Sequence, residues 1–197
     1  MRIYTRKGDD GTTGLLYGGR VRKDDPRIEL NGAVDEAQAA LGMARAESEP
    51  GSELDELLVS LERDLWVLMA EVATAPDNRH KLKAGSTLVT DDMVRALEER
   101  IDAIGARSEM PTEFVVPGQG RAAAALDVAR TVVRRAERLA LALMPEPGVP
   151  EPGAAGSAGS QVVPYLNRLS DLCWTLARWQ ESEHLLTRGA RGAAADG

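Results

Sequence analysis

The sequence is poor in the residues that most often announce chemistry. Among 197 residues it has one cysteine, Cys173, two histidines, His80 and His184, and one phenylalanine, Phe114. A single cysteine excludes an internal disulfide framework, and its apolar neighbours mark it as a reduced core thiol, which suits a cytoplasmic setting. Two histidines without an HExxH or CxxC pattern give no dedicated zinc site, so no protein-held metal centre is expected and no histidine base is called for. No apolar run approaches the roughly 20 residues of a membrane helix, and the first stretch, MRIYTRKGDDGTTG, lacks the apolar core of a signal peptide. The expectation is a soluble, unexported protein with no membrane partner. Basic residues are outnumbered, 24 against 31 acidic, for a net charge of -7. The chain therefore lacks the positive field by which nucleic-acid binders release counterions, and any polyanion must be met locally.

What the sequence has in quantity is helical periodicity. Met1 to Asp25 is rich in Gly, Thr, Asp, Lys and Arg, with glycines at 8, 11, 14, 18 and 19, and reads as an organised loop or a tail. Asp25-Pro26 then reads as a cap and first position of a helix running to about Glu47, with Leu30, Val34, Ala37, Leu41 and Ala44 at helical spacing. A second helix follows Pro50-Gly51-Ser52 on a leucine stripe from Leu54 to Val72, and Thr90 caps a third that ends near Gly105. The fourth covers about Arg121 to Leu143, and the fifth about Pro164 to Glu183. Between them, residues 146–160 are Pro, Gly, Ala and Ser rich and read as a mobile connection. The predicted fold is all-α, a five-helix antiparallel bundle in a ferritin-like arrangement with an ordered Gly-rich N-terminal loop. Residues 1–25 form the loop segment, 26–183 a single bundle domain, and 184–197 a frayed tail.

Charged groups concentrate on the fourth helix. Asp127, Arg130, Arg134, Glu137 and Arg138 fall within an arc of roughly 100° on a helical wheel, with Arg135 between that stripe and the apolar face. A solvated face laced with ion pairs is the plainer reading. Three of the five are arginines, however, whose planar donors suit bidentate binding of phosphate or a buried carboxylate. The fifth helix adds Asn167, Asp171 and Arg178 with Trp174, and two polar rows in one small bundle suggest a lined cleft. At the N-terminus, TRKGDDGTTG places backbone N–H groups, Thr hydroxyls and two cations in a Gly-permitted turn, a phosphate cradle without Walker A spacing. Lys23 could add a cation, and Asp24 and Asp25 carboxylates for a magnesium shell. Asp35, on the first helix with Asn31 and Gln38, could pair with an arginine of the fourth. Phe114 precedes Pro117-Gly118 at a loop-to-helix junction and is either a core aromatic or a site residue.

Four blocks in this order resemble the PduO-type ATP:cob(I)alamin adenosyltransferases: IYTRKGDDGTTGL from Ile3, RVRKDDPRIELNGAVDE from Arg20, FVVPGQGRAAAALDVARTVVRRAER from Phe114 and YLNRLSDLCWTLAR from Tyr165. The resemblance implies a homotrimer with each active site at a subunit boundary, in which the 5'-deoxyadenosyl group passes from ATP, with Mg²⁺, to the cobalt of cob(I)alamin. It assigns Thr5, Arg6, Lys7, Gly8, Thr13, Gly14 and Lys23 to ATP, together with Arg134, Arg135, Glu137, Arg138 and Asn167. It assigns Asp35 and Arg130 to a salt bridge across subunits on the corrinoid side, and Phe114 to displacement of the lower axial ligand of cobalt; an apolar residue under cobalt keeps water and axial ligands away, a task that Trp174 could share with Phe114. A flavoprotein reductase and an adenosylcobalamin-dependent enzyme are implied partners. Gln119 stands where the family usually has a second glycine, and Asp127 where a histidine is common. The alternative is a non-catalytic protein that binds and delivers adenosylcobalamin.

Overall fold

The computed structural model describes residues 3–144, 159–181 and 183–188. The described chain is mainly helical: α1 Pro26–Ala46, α2 Glu53–Val72, α3 Asp91–Gly105, α4 Arg121–Leu141 and α5 Val162–Trp179, with a 3-10 helix at Pro76–Lys81. Capping chemistry sets three of the starts. Asp25 accepts from the Arg27 N–H at 2.9 Å with Pro26 at the first helical position, Ser52 accepts from Asp55, and Thr90 from Met93. The fifth helix begins two residues before Pro164, because a proline in the first turn gives up an N–H that has no intrahelical partner there anyway. It ends at Trp179, short of the expected Glu183.

The core is the sum of the helical stripes. Leu30, Val34 and Leu41 of α1, Leu58, Leu61, Leu65 and Leu68 of α2, Leu97 of α3, Leu126 and Val133 of α4, and Leu166, Leu169 and Leu176 of α5 are all fully buried. Each such side chain contributes roughly 1.5–3 kcal/mol through removal from water. The alanines of α1 and α4, among them Ala37, Ala44, Ala129 and Ala136, are buried as well, so these two helices approach closely and α4 lies between α1 and α5.

Polar pairs fix the directions. Arg45 at the end of α1 bonds Asp55 at the start of α2, 2.7 Å apart, so this neighbouring pair runs antiparallel. Glu36 and Glu47 of α1 meet Arg135 and Arg121 of α4 in the same sense, as do Asn167 and Arg178 of α5 with Glu137 and Asp127 of α4. By contrast α3 and α5 run alongside in the same direction: residues 98–102 share a cleft with 168–175, and the Arg107 guanidinium just beyond α3 stacks 5.1 Å from the Trp179 ring.

Two features were not legible as periodicity. The N-terminal segment, expected as loop, contains a small antiparallel hairpin of β1, Thr12–Gly14, and β2, Arg20–Arg22. Leu16 in its turn donates to the Ala73 carbonyl at 2.9 Å and so ties the hairpin to the end of α2. The second is a buried carboxylate, Glu71, at the last turn of α2. It accepts from Arg79 Nη2 at 2.9 Å, the Val89 N–H at 2.8 Å and Ser160 Oγ at 2.7 Å. One side chain thus fastens the 3-10 helix, the lead into α3 and the lead into α5. Residues 146–158 of the predicted mobile connection and 189–197 of the predicted tail lie outside the described residues.

Glu71→Ala removes this anchor, leaves the Val89 N–H and the Ser160 hydroxyl without their acceptor, and takes one carboxylate from the nearly buried Arg79. It should cost about 3–5 kcal/mol, read as a lower urea midpoint; a loss under about 1 kcal/mol would show that the three segments hold one another without it.

Candidate functional site

The hairpin presents a polar loop whose shape is set by its own side chains. Arg20 reaches across it, donating from Nη2 to the Lys7 carbonyl at 2.7 Å and from Nε to Thr12 Oγ1 at 3.0 Å. Asp10 closes the turn by accepting from the Thr12 N–H and hydroxyl, and the backbone donor together with the hydroxyl holds its carboxyl below the usual range. Gly8 is packed against Lys23: a Cβ there would sit 3.2 Å from both Lys23 Cε and Nζ and from the Thr12 carbonyl oxygen, so the ammonium lies over a stretch where only glycine fits without displacement. Arg6 adopts a left-handed backbone, φ 61°, and its guanidinium lies 5.6 Å from the Tyr4 ring. Asp24, considered for a magnesium shell, is taken by Arg22 through two 2.8 Å bonds that lower its carboxyl pKa, and Asp25 is the cap of α1. Among the described residues no group of three His, Cys, Asp or Glu side chains could hold a metal ion.

Behind the hairpin lies a cleft of about 660 Å³. Thr13, Gly14 and Lys23 line its hairpin side, Asn31 and Asp35 of α1 its polar wall, and Trp66, Met69 and Ala70 of α2 its apolar wall. Four of the residues singled out in the sequence thus share one cleft: Thr13, Gly14, Lys23 and Asp35. Thr5, Arg6, Lys7 and Gly8 belong to the same loop but do not line it. Asn31 Oδ1 is buried and accepts no hydrogen bond, so an acceptor faces this region with its capacity unused. Met69 was missed as a site residue because it falls in the apolar stripe of α2 and looks like core, and Trp66 because, one position off that stripe and 67 % exposed, its spacing carries no signal.

The second group sits where α4 meets α5. Glu137 accepts from Asn167 Nδ2 at 2.8 Å, and Arg138 Nη1 donates to the Arg134 carbonyl at 2.9 Å. The Arg134 and Arg138 side chains are exposed, while Arg135, placed between the faces by the wheel, pairs with Glu36 of α1. Among the described residues no hydrogen bond, ion pair or shared cleft joins this group to the hairpin cleft. Nor are Asp35 and Arg130 paired within the chain. Arg130 lies 3.4 Å from Asp127, and Asp35 is exposed with no bonded partner among the described residues.

Two residues expected to line a cleft are instead buried structure. Asp127, from the charged stripe, accepts from Arg178 Nη2 at 2.6 Å, and Arg178 also reaches Glu181 at 3.0 Å; all three side chains are under a tenth exposed. The helical wheel misplaced Asp127 because it assumes solvent opposite the apolar face, whereas α5 covers part of that side. Trp174 lines a separate cleft of about 570 Å³ with Glu98 and Asp102 of α3 and Arg168 and Asp171 of α5. Of the polar row on that helix only Asp171 shares this cleft, and no other residue assigned to ATP or the corrinoid lines it.

Phe114 is no core aromatic. Its side chain is 84 % exposed, on a loop whose backbone pairs with the C-terminal segment: the Thr187 N–H donates to the Phe114 carbonyl at 2.9 Å, and the Val116 N–H to the Leu185 carbonyl at 2.7 Å. The first residues of the predicted frayed tail are therefore tied down, by backbone pairing that leaves no apolar period to read. His184 lies between Glu181 and the Glu109 carbonyl, beside a cavity of about 780 Å³ under the Phe114 loop. The E-x-x-H spacing of Glu181 and His184 was the available signal for this contact.

A family profile described as cobalamin adenosyltransferase matches residues 3–180. The corrinoid adenosyltransferase of Citrobacter freundii is 39 % identical over 181 residues, which cover 92 % of this chain and 96 % of that protein. That of Bacillus subtilis is 37 % identical over 182 residues, covering 90 % and 86 %. Among solved structures, a phenylalanine-to-histidine variant of a PduO-type ATP:corrinoid adenosyltransferase from Lactobacillus reuteri, complexed with cobalamin and ATP, superposes with a TM-score of 0.78 at 29 % identity, covering 95 % of this chain and 97 % of that one.

Burial pushes the Cys173 thiol up to about 12, so it stays protonated and takes no part in chemistry at either site. The native protein should leave its one cysteine unlabelled by a thiol reagent at about pH 8 and expose it on unfolding; rapid labelling of the native state would contradict this placement.

Proposed function

This chain belongs to the cobalamin adenosyltransferase family, and on that premise we propose how its residues carry out ATP:corrinoid adenosyl transfer. The reaction we assign is transfer of the 5'-deoxyadenosyl group of ATP to the cobalt of cob(I)alamin: the cobalt electron pair forms the Co–C5' bond, the C5'–O bond breaks, and triphosphate leaves with that bond's electrons. The observation that carries this reading is the cleft that brings Thr13, Gly14, Lys23 and Asp35 together behind a loop held open by Arg20.

Cob(I)alamin is already a strong nucleophile, so the protein has no proton to remove, which fits a site without a histidine base. Its task is compensation of charge developing on the leaving triphosphate. Lys23 beside Gly8, with Lys7 and Arg6 on the same loop, supplies cations at one side of the nucleotide, and Thr5, Thr13 and the loop N–H groups supply donors. Arg134 and Arg138 are exposed, Arg138 with only its Nη1 engaged on the Arg134 carbonyl, and Arg135, Glu137 and Asn167 border them. We assign these five to the same nucleotide, reached from a second copy of the chain. Two half-sites on separate parts of one protomer, each with free donors, support an active site completed between subunits of a homotrimer. An Asp35–Arg130 bridge between copies is part of this reading. Magnesium is assigned to the phosphates of ATP, since the hairpin carboxylates are engaged elsewhere and no step depends on a protein-held ion.

Phe114 is assigned to the lower face of cobalt, where an exposed aromatic excludes water and axial ligands and eases reduction to cob(I). Trp174, on its own cleft, is the weakest member of the corrinoid set. The chain is then divided as an ATP-binding segment at 1–25, a five-helix ferritin-like bundle at 26–183 and a C-terminal segment from 184. No helix of the described residues is long and apolar enough to cross a membrane. A cytoplasmic location, a flavoprotein reductase and an adenosylcobalamin-dependent acceptor enzyme complete the proposal.

Purified protein given ATP, Mg²⁺ and chemically reduced cobalamin should develop the light-sensitive spectrum of adenosylcobalamin; no spectral change in a well-reduced sample sinks the proposal. Arg134→Ala should lower kcat about 10²–10³-fold, as loss of one charge-stabilising donor does. Because the side chain is exposed, the unfolding midpoint should stay within about 0.5 kcal/mol of the parent. Near-parental turnover would remove Arg134 from the nucleotide site, and a single-protomer mass on sizing would remove the inter-subunit site.

A further inference from the structure

Resting on the assignment of Phe114 to the corrinoid, we propose that His184 is a positioning residue for it, a latch that holds the C-terminal strand against the Phe114 loop. An 84 % exposed side chain has little packing to orient it, so the backbone must. That backbone is held by two bonds to Leu185 and Thr187, with Val115 opposite Leu186. So short a ladder is marginal by itself and needs an anchor at its end.

His184 is placed to be that anchor. Its Nδ1 lies 3.1 Å from Glu181 Oε2 and its Nε2 3.1 Å from the Glu109 carbonyl oxygen. Both partners are oxygen acceptors, so the ring serves them as a donor. The charged groups around it come from each packed element. Glu181 follows α5 and is shared with Arg178 of that helix, whose other donor reaches Asp127 of α4; Glu183 and the Glu109 loop line the same cavity. The ring is only 17 % exposed, so its two bonds compete weakly with water. Through them the end of α5 is clipped to the loop that carries Phe114, and the buried Asp127–Arg178 pair ties the clip to α4.

The test reads base-off cob(II)alamin on the ATP-loaded protein by its absorbance and electron paramagnetic resonance, with ATP affinity measured alongside. His184→Ala should lower the equilibrium for the base-off form about five- to thirtyfold, as loss of one or two net hydrogen bonds does, with ATP affinity unchanged. Thr187→Pro, which deletes the donor to the Phe114 carbonyl without touching the histidine, should do the same and serves if the first variant folds poorly. His184→Gln, which keeps a side-chain donor, should recover part of the base-off fraction that His184→Ala loses. Parental base-off fractions in His184→Ala and Thr187→Pro, beside a loss in Phe114→Ala, overturn the latch and leave the Phe114 assignment standing. An unaffected Phe114→Ala instead removes the assignment on which the latch rests. Unchanged hydrogen exchange at the Val116 and Thr187 amides in His184→Ala overturns the latch whatever Phe114 does.

Discussion

The contact between Asp127 and Arg178 is the constraint on which the placement of functional groups depends. Both side chains are nearly without solvent, so each charge is tolerable only in the presence of the other. Such a pair adds little net stability, but it penalises any sliding of α4 along α5 by a residue or a turn. Ten residues further along α4, or about 15 Å at the helical rise, the same interface delivers Glu137 to Asn167 and leaves Arg134 and Arg138 facing outward. In the other direction Arg178 passes to Glu181 and His184, and so to the loop of Phe114. One buried ion pair thus sets the register of the Arg134–Arg138 group and of the Phe114 loop at once. It also gives the reason for an acid at Asp127: a carboxylate is what the buried Arg178 requires.

The hairpin obeys a different logic. It has few apolar side chains to bury and is held by polar closure, with Arg20 spanning the loop, Asp10 folding the turn and Leu16 bonding to the end of α2. Its rigidity comes from hydrogen bonds that spend Thr12 on Asp10 and Arg20 and leave Lys23 and Thr13 at a cleft. The opposite wall, Trp66 and Met69 with the unused Asn31 acceptor, offers an apolar surface with one polar contact, the usual composition of a nucleotide or cofactor pocket. Chemistry by cations, donors and an aromatic wall is consistent with the scarcity of histidine and cysteine, and the deeply buried Cys173 confirms that its thiol is packing.

What the sequence determined by itself is whatever depends on neighbours within a few residues. Helical stripes, the caps at Asp25, Ser52 and Thr90, and the family blocks around Lys23, Arg134 and Asn167 were all legible, because a helix writes its buried face into a period of 3.6 and its start into one side chain. Tertiary structure alone decided the rest. Asp127 and Arg178 look like surface charges until two helices close over them, and Trp66, outside the apolar stripe of α2, gains a role only when the hairpin arrives to form a cleft beside it. Glu71 is one acidic residue among many until three segments distant in sequence deliver their donors to it. The hairpin and the strand at Leu185–Thr187 have no apolar alternation, since their pairing is between backbone groups that every residue carries. Periodicity reports which side of an element is apolar. Which polar groups become buried, paired or left free is set by the elements that arrive opposite them, and that information is not local.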